Sequence, residues 1–73
     1  MELTALPIGK PAIIAGLKAK GPMRRRLLDL GMTPATPIEA VRRSPAGDPV
    51  AYKVRGTIIA LRAEESRLIT VEP

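Results

Sequence analysis

The chain has 73 residues with twelve Lys and Arg against seven Asp and Glu, a net charge of +5, no cysteine and no histidine. That length allows one domain, residues 1–73, which buries only ~60% of its unfolded surface; with Tyr52 the sole aromatic, aliphatic side chains must supply the core. The inventory excludes disulfide staples, thiol or imidazole catalysis and the usual tight ligands of zinc or ferrous iron, so the expectation is a non-enzyme with no cofactor and no metal site.

Met1 to Gly9 reads as an extended lead-in, where Glu2-Leu3-Thr4 opens a short turn and Leu3 and Leu6 are apolar anchors. It lacks the basic start and apolar run of a signal peptide. No apolar stretch approaches the ~20 residues of a membrane helix, which makes a soluble, cytoplasmic protein the expectation. Lys10 to Leu17 is the first strand, with Ala12-Ile13-Ile14-Ala15 at its centre and Pro11 at its start, where a strand tolerates proline.

Pro22 suits the first turn of a helix, and Met23, Leu27 and Leu30 then recur at helical spacing. Gly31 stands where a helix end favours a left-handed residue, so the helix spans Pro22 to Leu30. Thr33-Pro34 and Thr36-Pro37 forbid its continuation and make a tight connection. Ile38 to Arg43 is a strand, and Ser44 to Pro49 is a hairpin loop rich in turn formers. Val50 to Arg55 alternates, with Val50, Tyr52 and Val54 on one face and Ala51, Lys53 and Arg55 on the other. Gly56 turns the chain into Thr57 to Leu61, an apolar run read as a buried strand. Arg62 to Ser66 makes a single helical turn, and Leu68 to Glu72 is the closing strand. The result is a mainly β fold: a small closed or nearly closed barrel of about five strands, with one short helix between the first and second. Leu27, Leu30, Ile59 and Leu61 are expected in its core.

Glu64 and Glu65 are the only adjacent carboxylates, and neighbours on a helical turn point apart, so they form no acid–base pair. The densest charge is Arg24-Arg25-Arg26; on a helix these residues spread over about 200–300° of arc, so at most two share a face. Arg42, Arg43, Lys53 and Arg55 flank the central hairpin and extend the basic surface. These residues are the candidates for contact with an acidic partner or phosphate, the alternative being an ordinary solvated face. The missing aromatic platforms tell against nucleic acid.

Arg25-Arg26-Leu27-Leu28-Asp29-Leu30-Gly31-Met32, then Thr33-Pro34, Gly47-Asp48-Pro49, Val54-Arg55-Gly56 and Ile59-Ala60-Leu61-Arg62, in this order, resembles the FeoA family of bacterial ferrous iron transport A proteins. The resemblance runs from Leu3 to Val71. It implies an SH3-like barrel and a cytosolic accessory of the Feo uptake system. The partner it implies is the membrane permease FeoB, which carries a G-protein-like domain. The family is similar to the SH3-like domain of iron-dependent repressors, which associates it with transition metals; the lack of His and Cys speaks against direct iron handling here. Ala35 departs from the family, which commonly has Gly after Thr-Pro, and the departure bears on that turn. The function so implied is protein–protein contact with the permease. The rivals are a basic SH3-like nucleic-acid binder and a metal-sensing module, and self-association is compatible with any of them.

Overall fold

Alternating apolar residues make the strands of this protein, and glycine-bearing turns close them. The computed structural model describes residues 1–73. A turn of 3-10 helix, Leu3–Ala5, precedes β1 (Pro11–Leu17), α1 (Gly21–Asp29), β2 (Pro37–Arg43), β3 (Val50–Val54), β4 (Thr57–Leu61), α2 (Ala63–Ser66) and β5 (Ile69–Glu72). The strands form one five-stranded antiparallel sheet in the order β4-β3-β2-β1-β5, with the longer helix between the first and second strands. The outer edge of β5 is covered by the chain's own start. Met1 N donates to Val71 O at 3.0 Å, Val71 N–H returns to Met1 O at 2.8 Å, and Glu2 bridges Thr70. No helix is long and apolar enough to cross a membrane.

The inward faces supply Ala12 and Ile14 from β1, Ile38 and Ala40 from β2, Val50, Tyr52 and Val54 from β3, Leu61 from β4, and Ile69 and Val71 from β5. Leu3, Leu6, Leu27 and Met32 complete the same buried cluster. Two bulges bend the sheet around this core, one in β1 between Ile14 and Gly16 and one in β2 between Ala40 and Arg42.

The helix ends as its sequence dictates. Gly31 takes φ 98°, Gly31 N–H bonds Leu28 O and Met32 N–H bonds Leu27 O, both at 3.0 Å. This paired closure satisfies two otherwise orphaned carbonyls and sets Leu27 and Met32 into the core together. The helix runs from Gly21 to Asp29, one residue earlier at each end than the expected Pro22 to Leu30, because Leu30 is the half-in residue before the glycine.

Two core expectations need correction. Leu27 and Leu61 are buried, whereas Leu30 and Ile59 are only half-buried against the core. The strand read as buried, β4, is largely exposed: Thr57, Ile58 and Ala60 face solvent, Ile58 at 57% of its full exposure. The reason is the face: Ile58 and Ala60 stand opposite Lys53 and Ala51 on the outer side of the sheet, which meets solvent, as Ile13 of the inner strand β1 also does at 41% exposure.

Candidate protein-contact surface

The cations of α1 divide into two kinds. All three arginines are exposed, but Arg24 and Arg25 have no ion-pair partner in the chain, whereas Arg26 pairs with Glu65 of α2. The Glu65 side chain is only 12% exposed, and its Oε1 also accepts the Arg62 N–H at 3.0 Å. Asp48 reaches the same helix from the β2–β3 loop: Oδ1 accepts the Ala63 N–H at 2.8 Å and Oδ2 lies 3.6 Å from Arg62 Nη1. A helix as short as α2 cannot hold itself, so these carboxylates on its first N–H groups fix it in place. Arg26 therefore joins two helices and is not a free charge.

Neighbours on a strand take opposite faces, and the bulge in β2 decides which of Arg42 and Arg43 goes where. Arg42 stands opposite Ala51 on the outer face of the sheet, the face that also carries Lys53 opposite Glu39. Arg43 instead stands opposite the inward-facing Val50, and its Nη1 donates to Gly47 O at 3.2 Å. There it borders a small hollow shared with Asp48, Tyr52 and Ser66. Burial pushes the Tyr52 phenol above its ordinary pKa; a hydrogen bond from Ser66 and the charge of Arg43 pull it back, and Asp48 adds to the rise.

Arg55 occupies the tip of the β3–β4 hairpin with φ 52°, followed by Gly56 at φ 80°. Positive φ at both positions is the two-residue turn that matches strand twist, a turn that favours Asn or Gly first. The arginine spends its side chain on the neighbouring loop: Nη2 donates to Thr33 Oγ1 at 3.0 Å and to Thr36 Oγ1 at 3.3 Å. The two hydroxyls lie 2.7 Å apart, and one donates to the other. Thr33 to Thr36 is itself a tight turn closed by Thr36 N–H to Thr33 O at 3.2 Å, with Ala35 at φ 71°. That is where a type II turn requires a left-handed residue, a conformation glycine adopts without strain. In the sequence the Thr-Pro pairs mark the turn but give the threonines no functional role, and nothing local points to the distant arginine.

Between the end of α1 and β4 lies a groove of about 520 Å³, with Leu28, Leu30, Val54, Thr57 and Ile59 along it and Arg55 in its wall. The candidate contact residues thus occupy several places: Arg24 and Arg25 on the helix, Arg42 and Lys53 on the outer sheet face, and Arg26, Arg43 and Arg55 each engaged within the fold. No three His, Cys, Asp or Glu side chains come together as a metal cluster would require.

Comparison with known proteins agrees with this geometry. The FeoA domain family model matches residues 1–73. A Porphyromonas gingivalis protein, the Fe(2+) transport protein A/Fe(2+) transporter FeoB fusion protein, is 33% identical over 72 residues, which are 99% of this chain and 8% of that one. The solution structure of iron(II) transport protein A from Clostridium thermocellum superposes with a TM-score of 0.94 at 39% identity, covering 99% of this chain and 44% of that chain. The zinc-complexed FeoA of Stenotrophomonas maltophilia, an SH3 domain protein, superposes with a TM-score of 0.87 at 29% identity, covering 99% of this chain and 89% of that one. This chain therefore spans a small part of the fusion protein and under half of the Clostridium chain, and its five-stranded fold is SH3-like. With a family match from end to end and the same fold in its relatives, the chain belongs to the FeoA domain family.

Proposed function

We propose that this domain is a cytosolic, non-catalytic accessory of a FeoB-type ferrous iron permease and acts by protein–protein contact with the permease's cytosolic part. The observation that carries this reading is the Porphyromonas gingivalis fusion, in which a region similar to this chain and an Fe(2+) transporter share one polypeptide. Fusion makes a contact intramolecular and raises its effective concentration; separate chains have to find each other by encounter. A net charge of +5 with Arg24, Arg25, Arg42 and Lys53 exposed gives the domain a means of finding an acidic surface. Charge of this kind sets the encounter rate more than the final affinity. Arg26, Arg43 and Arg55 are also exposed but are tied to the fold, where they hold α2, the β2–β3 loop and the Thr33–Thr36 turn in place. The test is titration of the domain with the isolated cytosolic part of the FeoB permease at low and physiological ionic strength. Association that weakens with salt is expected, and no association at either ionic strength removes the reading.

A further inference from the structure

β4 alone among the strands has an outer edge with no partner, since residues Met1 and Glu2 cover the other end of the sheet. The Arg55-Gly56 turn makes Val54 and Thr57 the first pair of the hairpin. In a two-residue hairpin that pair exchanges both hydrogen bonds, and the alternation of the antiparallel ladder then turns the N–H and C=O of Ile58 and Ala60 outward. None of these groups has a partner among the bonds outside the ladder. The strand carries no charge and no proline, two of the devices that blunt a free edge. Such an edge is a template for one more strand.

The surroundings select what that strand is. Arg55 and Arg62 bracket β4, and Lys53 lies opposite Ile58 one strand in, on the outer face. A second copy paired antiparallel about Ile59 would place Arg55 of each chain beside Arg62 of the other, like charges at both ends. An acidic segment turns the same arrangement into attraction. On the inward side, Leu28, Leu30 and Ile59 offer an apolar groove, with Asp29 at its rim. We infer that β4 accepts, by strand addition, an extended segment of another protein that alternates Asp or Glu toward the outer face with aliphatic residues toward the α1–β4 groove. This goes beyond contact with the permease in general: it names a backbone edge and the chemistry of the segment that completes it, whichever protein carries it.

The test needs no permease, so its failure is separable from failure of the proposed function. Synthetic peptides alternating Val with Glu and Val with Lys are titrated into the full chain, and backbone amide shifts and hydrogen exchange are followed. The Val/Glu peptide is expected to shift and protect the amides of Ile58 and Ala60, severalfold more strongly than the Val/Lys peptide. The Ala60→Pro variant removes an outward N–H while leaving the β3 ladder intact, and is expected to keep the thermal melt and lose the effect. A Val/Glu peptide N-methylated on the amides facing β4 is expected to lose it too, and this arm decides the matter should the proline variant not fold. Equal binding of both peptides, responses elsewhere than β4, or full activity of the N-methylated peptide overturns the inference. A concentration-dependent dimer that protects Ile58 and Ala60 without peptide also overturns it, assigning the edge to a second copy.

Discussion

The Nη2 of Arg55 donates to the Thr33 hydroxyl at 3.0 Å, which ties the tip of the β3–β4 hairpin to the loop leaving α1. An arginine at φ 52° accepts a backbone cost that Asn or Gly would avoid. Replacing it is therefore expected to relax the backbone and release the loop at once. In Arg55→Asn, global stability is expected to change by less than about 1 kcal/mol as these effects offset. Amide exchange at Thr33 and Thr36, by contrast, is expected to accelerate severalfold. Unchanged exchange in a folded variant would mean that Arg55 does not hold the loop.

Ala35 gives a simpler test of the same turn. Its φ of 71° lies in the region that disfavours a Cβ, and its N–H is committed to Ile14 O at 2.7 Å, so the turn cannot relax without giving up a bond to β1. Ala35→Gly is expected to stabilise the protein by about 0.5–1 kcal/mol net of glycine's unfolded-state entropy. For a domain of this size that is a rise of roughly 2–8 °C in the melting midpoint. Ala35→Val is expected to lower it.

Two leucines of α1 separate complete from partial burial. Leu27 is wholly buried and sits beneath the Gly31 closure, while Leu30 is half-buried at the groove. Leu27→Ala is expected to cost ~2–5 kcal/mol, a large part of a small domain's stability. Leu30→Ala is expected to cost clearly less, in proportion to the area it covers. Urea midpoints of the two variants measure the difference, and equal costs would contradict the packing described.

Signals that act within a few residues are legible in the sequence itself. Pro22, the Met23-Leu27-Leu30 spacing and Gly31 locate α1 to within a residue at each end, because capping and periodicity are local. The alternation of Val50, Tyr52 and Val54 likewise marks the inward face of β3. Features made by distant contacts are not legible there. Thr57 to Leu61 reads alike whether a sheet is covered on both faces or on one, so periodicity alone does not reveal the exposure of Ile58. Arg42 and Arg43 take opposite faces by strand alternation, but only the bulge at Val41 decides that Arg42 is the one that joins Lys53 on the outer face. Arg26 is indistinguishable from its neighbours until the fold brings Glu65 beside it.

Tyr52 links stability to alkaline pH. Burial raises its folded-state pKa above the ordinary value near 10, so at higher pH the unfolded chain loses the phenol proton first. The folded state then binds more protons than the unfolded one, and stability falls as pH rises from about 10 toward the folded pKa. Melts between about pH 8 and 11 are expected to show this loss in the wild type and a shallower one in Tyr52→Phe. The comparison isolates the phenol, because every other side chain is common to the two proteins. Parallel profiles would mean that Tyr52 titrates alike in both states.

The helix cations distinguish a contact surface from a framework. Arg24 and Arg25 are exposed and make no ion pair within the chain, whereas Arg26 is held by a Glu65 that is nearly enclosed. If the domain docks on an acidic part of the permease, Arg24→Glu with Arg25→Glu is expected to slow association severalfold and to flatten its salt dependence. Folding is expected to survive, because exposed charge changes usually stay within about 0.5 kcal/mol. Arg26→Glu is expected to behave differently: it sets a like charge against Glu65, loosens α2 and lowers the melting midpoint. The measurements are association kinetics with the permease's cytosolic part at two ionic strengths and a thermal melt of each variant. A folded double variant that associates at the wild-type rate would take the α1 cations out of the interface. The exposed cations around the central hairpin, Arg42, Arg43, Lys53 and Arg55, would then be the candidates to steer the encounter.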